Sequence, residues 1–385
     1  MPKNILLVEN FGADFYKSRL KYAKYLVSQG WNVKVLIPYD EYKDKIKGEG
    51  ITVYSYYSKE KQNWLSQIYH ILKAYKHIFS EHEIQIVHSF RLFPNFINVL
   101  ANIFSRRKVI LHVTGMGVLY SNSSFSYLIL RWISSIVYWF MINLCSLVIV
   151  QNEDDRKQLQ KIGFTTSKVL LVKGSGVDTN LFVFDPISRL KFRKKYNIGL
   201  DDILFICVTR LIWEKGIREM VIAFQELQEA HPQMKLMIVG APYVDNPRHV
   251  NTEYIASAES HSNIIFTGKH NEIEKLLSSA DVFLYPSYYR EGIPRGILEA
   301  LSVGLPVITT DTPGCKMTVE DGVNGYLIKP RSVSAIYDAV MKIANNTTQL
   351  QQMGVNSREI AETTFIDALI YKQMADVYKF NPITS

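Results

Sequence analysis

The segment Glu291-Gly292-Ile293-Pro294-Arg295-Gly296-Ile297-Leu298-Glu299 sets two carboxylates around a turn made of glycine and proline and the first turns of a helix. Directly upstream, Asp281-Val282-Phe283-Leu284-Tyr285-Pro286-Ser287 is an apolar strand broken by proline. Downstream, the helix runs through Ala300, Leu301 and Val303 to Gly304, and Leu305-Pro306-Val307-Ile308-Thr309-Thr310 opens another strand. This arrangement suits a phosphorylated, hydroxylated ligand. The backbone from Gly292 through Ile293 and Pro294 to Arg295 leads into a helix start, whose open N–H groups attract phosphate. A carboxylate two turns on, Glu299, is placed to accept hydrogen bonds from vicinal hydroxyls, as acidic residues do with ribose in dinucleotide folds. The same text also fits an ordinary strand–helix unit with two exposed glutamates.

A second feature weighs towards ligand binding. Asp202-Ile203-Leu204-Phe205-Ile206-Cys207-Val208 reads as a buried strand, and Thr209-Arg210-Leu211-Ile212-Trp213-Glu214-Lys215-Gly216 follows it. Ile217, Met220, Val221, Ala223 and Phe224 then recur at helical spacing. Arg210 and Lys215 therefore stand where a strand turns into a helix. A planar fork of donors and a mobile point charge together suit a diphosphate.

The Arg210-x-x-x-x-Lys215-Gly216 turn, Glu291-x₇-Glu299, Asp311-Thr312-Pro313-Gly314 and Asp321-Gly322-Val323-Asn324-Gly325 resemble family 4 of the retaining glycosyltransferases, a family of GT-B architecture. The resemblance covers essentially the whole chain and is most specific between Gly174 and Pro330. Val113-Thr114-Gly115-Met116-Gly117 and the Trp213-Glu214-Lys215-Gly216 variant look most like bacterial N-acetylhexosaminyltransferases acting on undecaprenyl-diphosphate-linked saccharides. The resemblance implies that Glu291 holds hydroxyls of the transferred sugar and Glu299 the ribose. It also implies same-face attack assisted by the leaving phosphate, so that no protein nucleophile is required. Many relatives carry a histidine immediately before the glycine of the loop after the fourth strand. Here Thr114 precedes Gly115, and His112 lies two residues earlier, which puts that histidine's role in doubt.

These elements need a frame to position them. Strand-like and helix-like runs alternate along all 385 residues, the pattern of parallel sheets covered by helices. The first half offers strands at Asn4–Val8, Asn32–Ile37, Ile84–His88, Val109–Val113, Leu147–Val150 and Val169–Val172. The second offers Ile203–Val208, Lys235–Val239, Ile264–Phe266, Val282–Tyr285, Val307–Thr309 and Tyr326–Ile328. The expected fold class is α/β: GT-B, two doubly wound Rossmann-like domains facing a cleft. Residues 1–175 form the acceptor-side domain and 176–365 the nucleotide-sugar domain, with a C-terminal helix in 366–385 returning to the first. Gly174-Ser175-Gly176 suits a hinge between them.

Charge and composition narrow the partners. Met1–Lys173 carries 23 Lys and Arg against 12 Asp and Glu, whereas the remainder is slightly acidic, so the first half expects an anionic partner. No nucleic-acid signature accompanies the charge. Basic helix ends with aromatic residues, as in Trp64–Phe79 and Arg91–Lys108, point to an anionic membrane surface instead. Trp132–Val150 is free of charge over nearly the length that crosses a bilayer. Its serines and its terminal Leu147-Val148-Ile149-Val150 favour a buried helix from about Ser126 to Leu144 and then a central strand. The three cysteines are scattered, which disfavours a disulfide framework or structural zinc. The N-terminus reaches a charge too early for a signal peptide, and a reducing cytoplasm fits, with the protein peripheral on the inner face of the membrane.

No GxxxxGK[ST] loop occurs, and Glu9-Asn10-Phe11-Gly12-Ala13-Asp14 has one glycine where a dinucleotide fingerprint has three. Gly12 either lets the backbone approach a diphosphate or acceptor, or simply makes a turn. Gly115 closes a strand in a turn suited to close approach by substrate. Without an Asp-x-Asp pair, the expected chemistry is metal-independent and needs no cofactor beyond a UDP-sugar donor. Arg210, Lys215 and the helix start would stabilise the departing diphosphate, and Glu291 completes the catalytic set. The expected acceptor is a lipid-linked saccharide. Two other classes remain open: a sugar-nucleotide epimerase of the same architecture, with Glu9 and Asp14 as its loop carboxylates, and a non-catalytic nucleotide-sugar-binding membrane-associated protein.

Overall fold

Val-, Ile- and Leu-rich strands that are buried on both faces build two separate parallel sheets, as expected where helices cover each side. The computed structural model describes residues 3–57, 64–117, 120, 124–163, 167–242 and 246–380. The chain divides into two compact units, Met1–Ser175 with Ile370–Ser385, and Gly176–Leu369. Of the C-terminal segment, 381–385 lie outside the described residues.

In the first unit the strands are β1 (Lys3–Val8), β2 (Trp31–Pro38), β3 (Thr52–Tyr56), β4 (Ile86–Phe90), β5 (Lys108–Val113), β6 (Leu147–Val150) and β7 (Val169–Leu171). All pair in parallel, in the order β3-β2-β1-β4-β5-β6-β7. The period of two sorts their side chains. Ile5 and Leu7 join Phe15, Tyr22 and Leu26 on one face, while Leu6 and Val8 join Ile71, Tyr75 and Ile97 on the other. The second unit holds β8 (Ile203–Val208), β9 (Met234–Val239), β10 (Ile264–Gly268), β11 (Val282–Tyr285), β12 (Val307–Thr310) and β13 (Gly325–Ile328), in the order β10-β9-β8-β11-β12-β13. Both sheets reverse their winding once, between β1 and β4 and between β8 and β11. Open α/β sheets bind ligands beyond the strand ends at such a reversal.

Two expectations need correction. Thr52–Tyr56 is a seventh strand of the first sheet; its Thr-Val-Tyr-Ser-Tyr text is short and half polar because it lies at the sheet edge, paired only with β2. The helix Phe125–Leu144 is not a buried helix. Only Ser134, Tyr138, Met141 and Ile142 are buried, because a helix laid on one face of a sheet covers a single stripe and this one is apolar all round.

The chain passes between the units beside Gly176, whose φ is 80° and whose added Cβ would lie 2.6 Å from the Asp367 Cα. Val177 and Ile366 bridge there, with the Val177 N–H donating to the Phe365 carbonyl at 2.9 Å. The helix Asp367–Val377 then packs Ile370, Met374 and Val377 into the first unit's core. Just beyond it, the Tyr22 hydroxyl donates to that of Tyr378 at 2.7 Å, which lies 2.7 Å from His88 Nδ1. Burial, aided by the Arg19 charge, pushes the His88 pKa down to about 3 and keeps the ring neutral. A buried donor or acceptor left without its partner costs about 1–3 kcal/mol. Tyr378→Phe should therefore lower stability by about that amount in urea denaturation; an unchanged midpoint would show that the buried chain does not anchor the C-terminus.

Candidate functional site

In the second unit the chains leaving β8 and β11 emerge side by side. After β8 comes Thr209–Ile212, a single 3₁₀ turn Trp213–Lys215, and Gly216 in the left-handed region at φ 74°. A Cβ on Gly216 would lie 2.5 Å from the Pro286 carbonyl oxygen, so only glycine lets this turn pack on the backbone following β11. The helix Ile217–Leu227 then buries Ile217, Met220, Val221, Ala223, Phe224 and Leu227.

That approach delivers Lys215 into the interior, where its side chain is only 4% exposed. Its ammonium donates to Glu291 Oε1 at 2.6 Å and to the Tyr285 hydroxyl at 2.7 Å. The Tyr285 hydroxyl in turn donates to Glu291 Oε1 at 3.0 Å, and Ser287 Oγ donates to the same oxygen at 3.0 Å. Burial, with the Glu291 charge beside it, raises the Tyr285 pKa well above its ordinary value, so the phenol stays a neutral donor. An ammonium has three N–H donors. Two are used here, and the ammonium also lies 5.5 Å from the centre of the Tyr289 ring.

The loop carrying Glu291 is held from three sides. Thr309 Oγ1 donates to the Tyr285 carbonyl at 2.7 Å, and Thr310 Oγ1 donates to the Ser287 carbonyl. Tyr288 N–H donates to the Glu214 carbonyl at 2.9 Å, tying the loop to the turn that bears Lys215. An added Cβ on Gly314 would fall 1.4 Å from the Gly292 carbonyl oxygen, so the two backbones are in direct contact. Pro294 caps the helix Arg295–Val303, which buries Ile297, Leu298, Ala300 and Leu301. Gly296 brings this helix against β8, where a Cβ would meet the Val208 carbonyl oxygen at 3.1 Å. Glu299 is mostly buried and accepts from Arg295 Nε at 2.7 Å one turn earlier.

The expected residues therefore separate. Lys215 and Glu291 come together as an ion pair, with Gly292, Ile293 and Pro294 continuing from Glu291 to the helix start where Arg295 and Glu299 pair. Arg210 stands apart in character, exposed at the end of β8. Tyr285 and Ser287 belong to the site although their text reads only as strand and turn; the signal was a tyrosine ending an otherwise wholly apolar strand. Among the described residues no group of three His, Cys, Asp or Glu side chains converges as a metal-ligating set.

The reversal in the first unit has its own charged cluster. Arg91, at φ 75°, follows β4 and pairs with Asp14 and, at 3.5 Å, with Glu9 at the end of β1. Burial raises the Glu9 pKa to about 7, against the opposing pull of Arg91 and Arg19. Gly12 opens a helix with its N–H donating to Asp40 Oδ2 at 3.1 Å, and a Cβ there would lie 2.4 Å from that carboxylate. Gly115 follows β5 at φ 122°. His112 is fully buried and stacked 5.6 Å from His88, and burial, with Arg19 and His88, holds its pKa well below the ordinary value. It is a core histidine.

Two family descriptions match in succession: Glycosyltransferase Family 4 over residues 20–181 and Glycosyl transferases group 1 over residues 188–360. The N,N'-diacetylbacillosaminyl-diphospho-undecaprenol alpha-1,3-N-acetylgalactosaminyltransferase of Campylobacter jejuni is 24% identical over 371 residues, covering 94% of this chain and 93% of the relative. The putative glycosyltransferase EpsD of Bacillus subtilis is 25% identical, covering 98% and 97%. Among solved structures, Anabaena HepE in complex with UDP and glucose superposes with a TM-score of 0.81 at 19% identity, over 98% of this chain and 99% of that one. WaaG, a glycosyltransferase involved in lipopolysaccharide biosynthesis, gives 0.69 at 17% identity, over 99% and 100%.

The contact between Gly314 and Gly292 sets a steric limit on the loop. Gly314→Ala should destabilise the protein by about 1–3 kcal/mol, the usual range for overpacking. Gly322→Ala, at φ 78° with nothing within 4 Å of the added carbon, should carry only a left-handed-backbone penalty of about 1 kcal/mol. Equal losses in denaturant titrations would mean that the loop yields freely.

Proposed function

Because the chain belongs to glycosyltransferase family 4, we propose that it moves an N-acetylhexosamine, or a deoxy relative, from a UDP-sugar to a lipid-diphosphate-linked saccharide. Glycosyl transfer is the family's activity; the donor, acceptor and stereochemistry are the reading put forward here. The transfer retains configuration and serves assembly of a bacterial surface polysaccharide or glycan at the cytoplasmic face of the membrane. The observation that carries this reading is the buried Lys215–Glu291 pair at the point where β8 and β11 diverge. The relative from Campylobacter jejuni, matched over nearly its whole length, supports the acceptor class, and the UDP complex of Anabaena HepE supports the donor class.

In this reading the bond between the anomeric carbon and the diphosphate oxygen breaks while an acceptor hydroxyl oxygen bonds to the same face. The hydroxyl proton passes to the departing phosphate. The third N–H of Lys215, the Arg210 guanidinium and the start of the helix Arg295–Val303 stabilise charge as it builds on the diphosphate, where preorganised donors act most strongly. Lys215 needs no rearrangement to do so, because Tyr285 and Glu291 already fix its stem. Glu291 holds the transferred sugar's hydroxyls and Glu299 the ribose. Fixed protein charges then take the place of a metal ion.

A screen of UDP-, GDP- and ADP-sugars against short polyprenyl-diphosphate saccharides, read by mass spectrometry, tests the proposal. Transfer only from GDP- or ADP-sugars, or only to soluble acceptors, would overturn it. Glu299→Ala should weaken UDP binding by about 1.5–3 kcal/mol, the scale of a charge-assisted hydrogen bond. Glu291→Ala should spare UDP affinity and reduce turnover; calorimetry showing the reverse ranking would exchange the two roles. Activity should persist in EDTA, and loss that magnesium or manganese restores would refute metal independence.

A further inference from the structure

The helices Trp64–Glu81, Leu92–Asn102 and Phe125–Leu144 form one layer in the first unit, on the sheet face that carries Val87, Leu111 and Val113. The outer side of this layer is apolar where a soluble surface is ordinarily charged. Along Phe125–Leu144, Phe125 is 76% exposed and Trp132 68%, with Ile129, Ile133, Ile136 and Trp139 about half exposed. Arg131 is the only charge in these 20 residues. The helix is long enough to cross a bilayer. However, it connects β5 to β6, which pair in parallel within one sheet, so both of its ends return to that sheet. It therefore lies along the surface of the unit.

The rest of the layer is basic. The Arg107 guanidinium stacks 3.7 Å over the Phe79 ring, and its Nε is buried without a partner among the described residues. Two cavities, of about 430 and 460 Å³, meet at Arg107. Lys76 and Ser80 line the first, and Arg106 and the wholly exposed Phe104 line the second. A third, of about 610 Å³, continues past Lys76 to Lys73 and His77. His77, which lines the third, pairs with Glu81 at 3.5 Å. A guanidinium stacked on a ring, with its Nε unpartnered among the described residues and the Lys76 ammonium lining the same cavity, suits a phosphate.

We propose that this layer is a docking face for an anionic phospholipid bilayer, in which Phe125–Leu144 lies at the boundary of headgroups and acyl chains while Arg107 and Lys76 hold a lipid phosphate. The inference rests on the membrane location given under the proposed function and assigns it to named residues. Charge selects the occupant. A two-fold dimer through the same face would set the basic groove against its own copy, whereas anionic lipid neutralises it. Exposed tryptophans on an apolar helix also match the chemistry of the interface.

The test uses the full chain in flotation assays with vesicles of phosphatidylcholine alone, or of phosphatidylcholine with phosphatidylglycerol. Only the latter should carry the protein at low salt. Arg107→Ala and Lys76→Ala should each lower partitioning about fivefold, and Arg107→Lys should recover most of the loss. Acyl-chain bromine should quench wild-type fluorescence and quench a Trp132→Phe/Trp139→Phe variant far less, with melting temperatures confirming that each variant is folded. Equal binding to neutral vesicles, unaltered binding by the alanine variants, equal quenching of both proteins, or a lipid-free dimer that excludes vesicles overturns the proposal. UDP affinity measured without vesicles separates the two readings. Vesicle binding without UDP binding sinks the UDP-sugar reading alone, and the reverse sinks the docking face alone.

Discussion

An ammonium cannot be taken out of water unless a carboxylate and polar acceptors replace its hydration, and this requirement at Lys215 organises the second unit. Glu291 comes 76 residues later in the chain, so the pair exists only because β11 lies beside β8 in the sheet. The turn bearing Lys215 can descend only because Gly216 lets it rest on the Pro286 carbonyl. The loop bearing Glu291 stays in place because β12 supplies Thr309 and Thr310 as donors to its carbonyls and Gly314 admits its backbone. Strand order, two glycines and two threonines thus converge on a single ion pair.

The first unit solves a different problem with the same sheet. Its reversal between β1 and β4 also gathers opposite charges, but Arg91 sits between Glu9 and Asp14 in a backbone conformation that non-glycine residues seldom adopt. Its deeper polar groups are sequestered in the core: Tyr22, Tyr378 and His88 tie the end of the C-terminal helix into the unit, and His112 is buried beside His88. The candidate site lies at the ends of β8 and β11, and the first unit presents its unusual surface on its helix layer.

Much of this was legible in the chain. Short runs of mainly apolar residues were readable as strands because parallel strands buried on both faces leave continuous apolar text. The glutamates and the Arg210–Gly216 turn stood out because their residue types are expensive to bury without purpose. The pairing of Lys215 with Glu291 was hidden, since spacing along one strand–turn–helix unit carries no information about its neighbour in the sheet. Lys215 and Arg210 looked equivalent for that reason, and only the fold separates a buried, paired lysine from an exposed arginine. Tyr285 and Ser287 were missed as their roles depend on that neighbour. Thr52–Tyr56 escaped because an edge strand need not be apolar. The helix Phe125–Leu144 was misjudged for the opposite reason: uniform apolarity signals burial, and sequence alone does not say whether protein or lipid provides it.

The central claim is that Lys215 and Glu291 act as one preorganised unit. A double-mutant cycle of Lys215→Met and Glu291→Gln, read as unfolding free energy in urea, addresses it directly. Each single change leaves the other partner's charge without its counter-ion, so the double variant should be more stable than the sum of the single losses implies, by about 1–3 kcal/mol. Losses that add within about 0.3–0.5 kcal/mol, as they do for independent sites, would contradict the account.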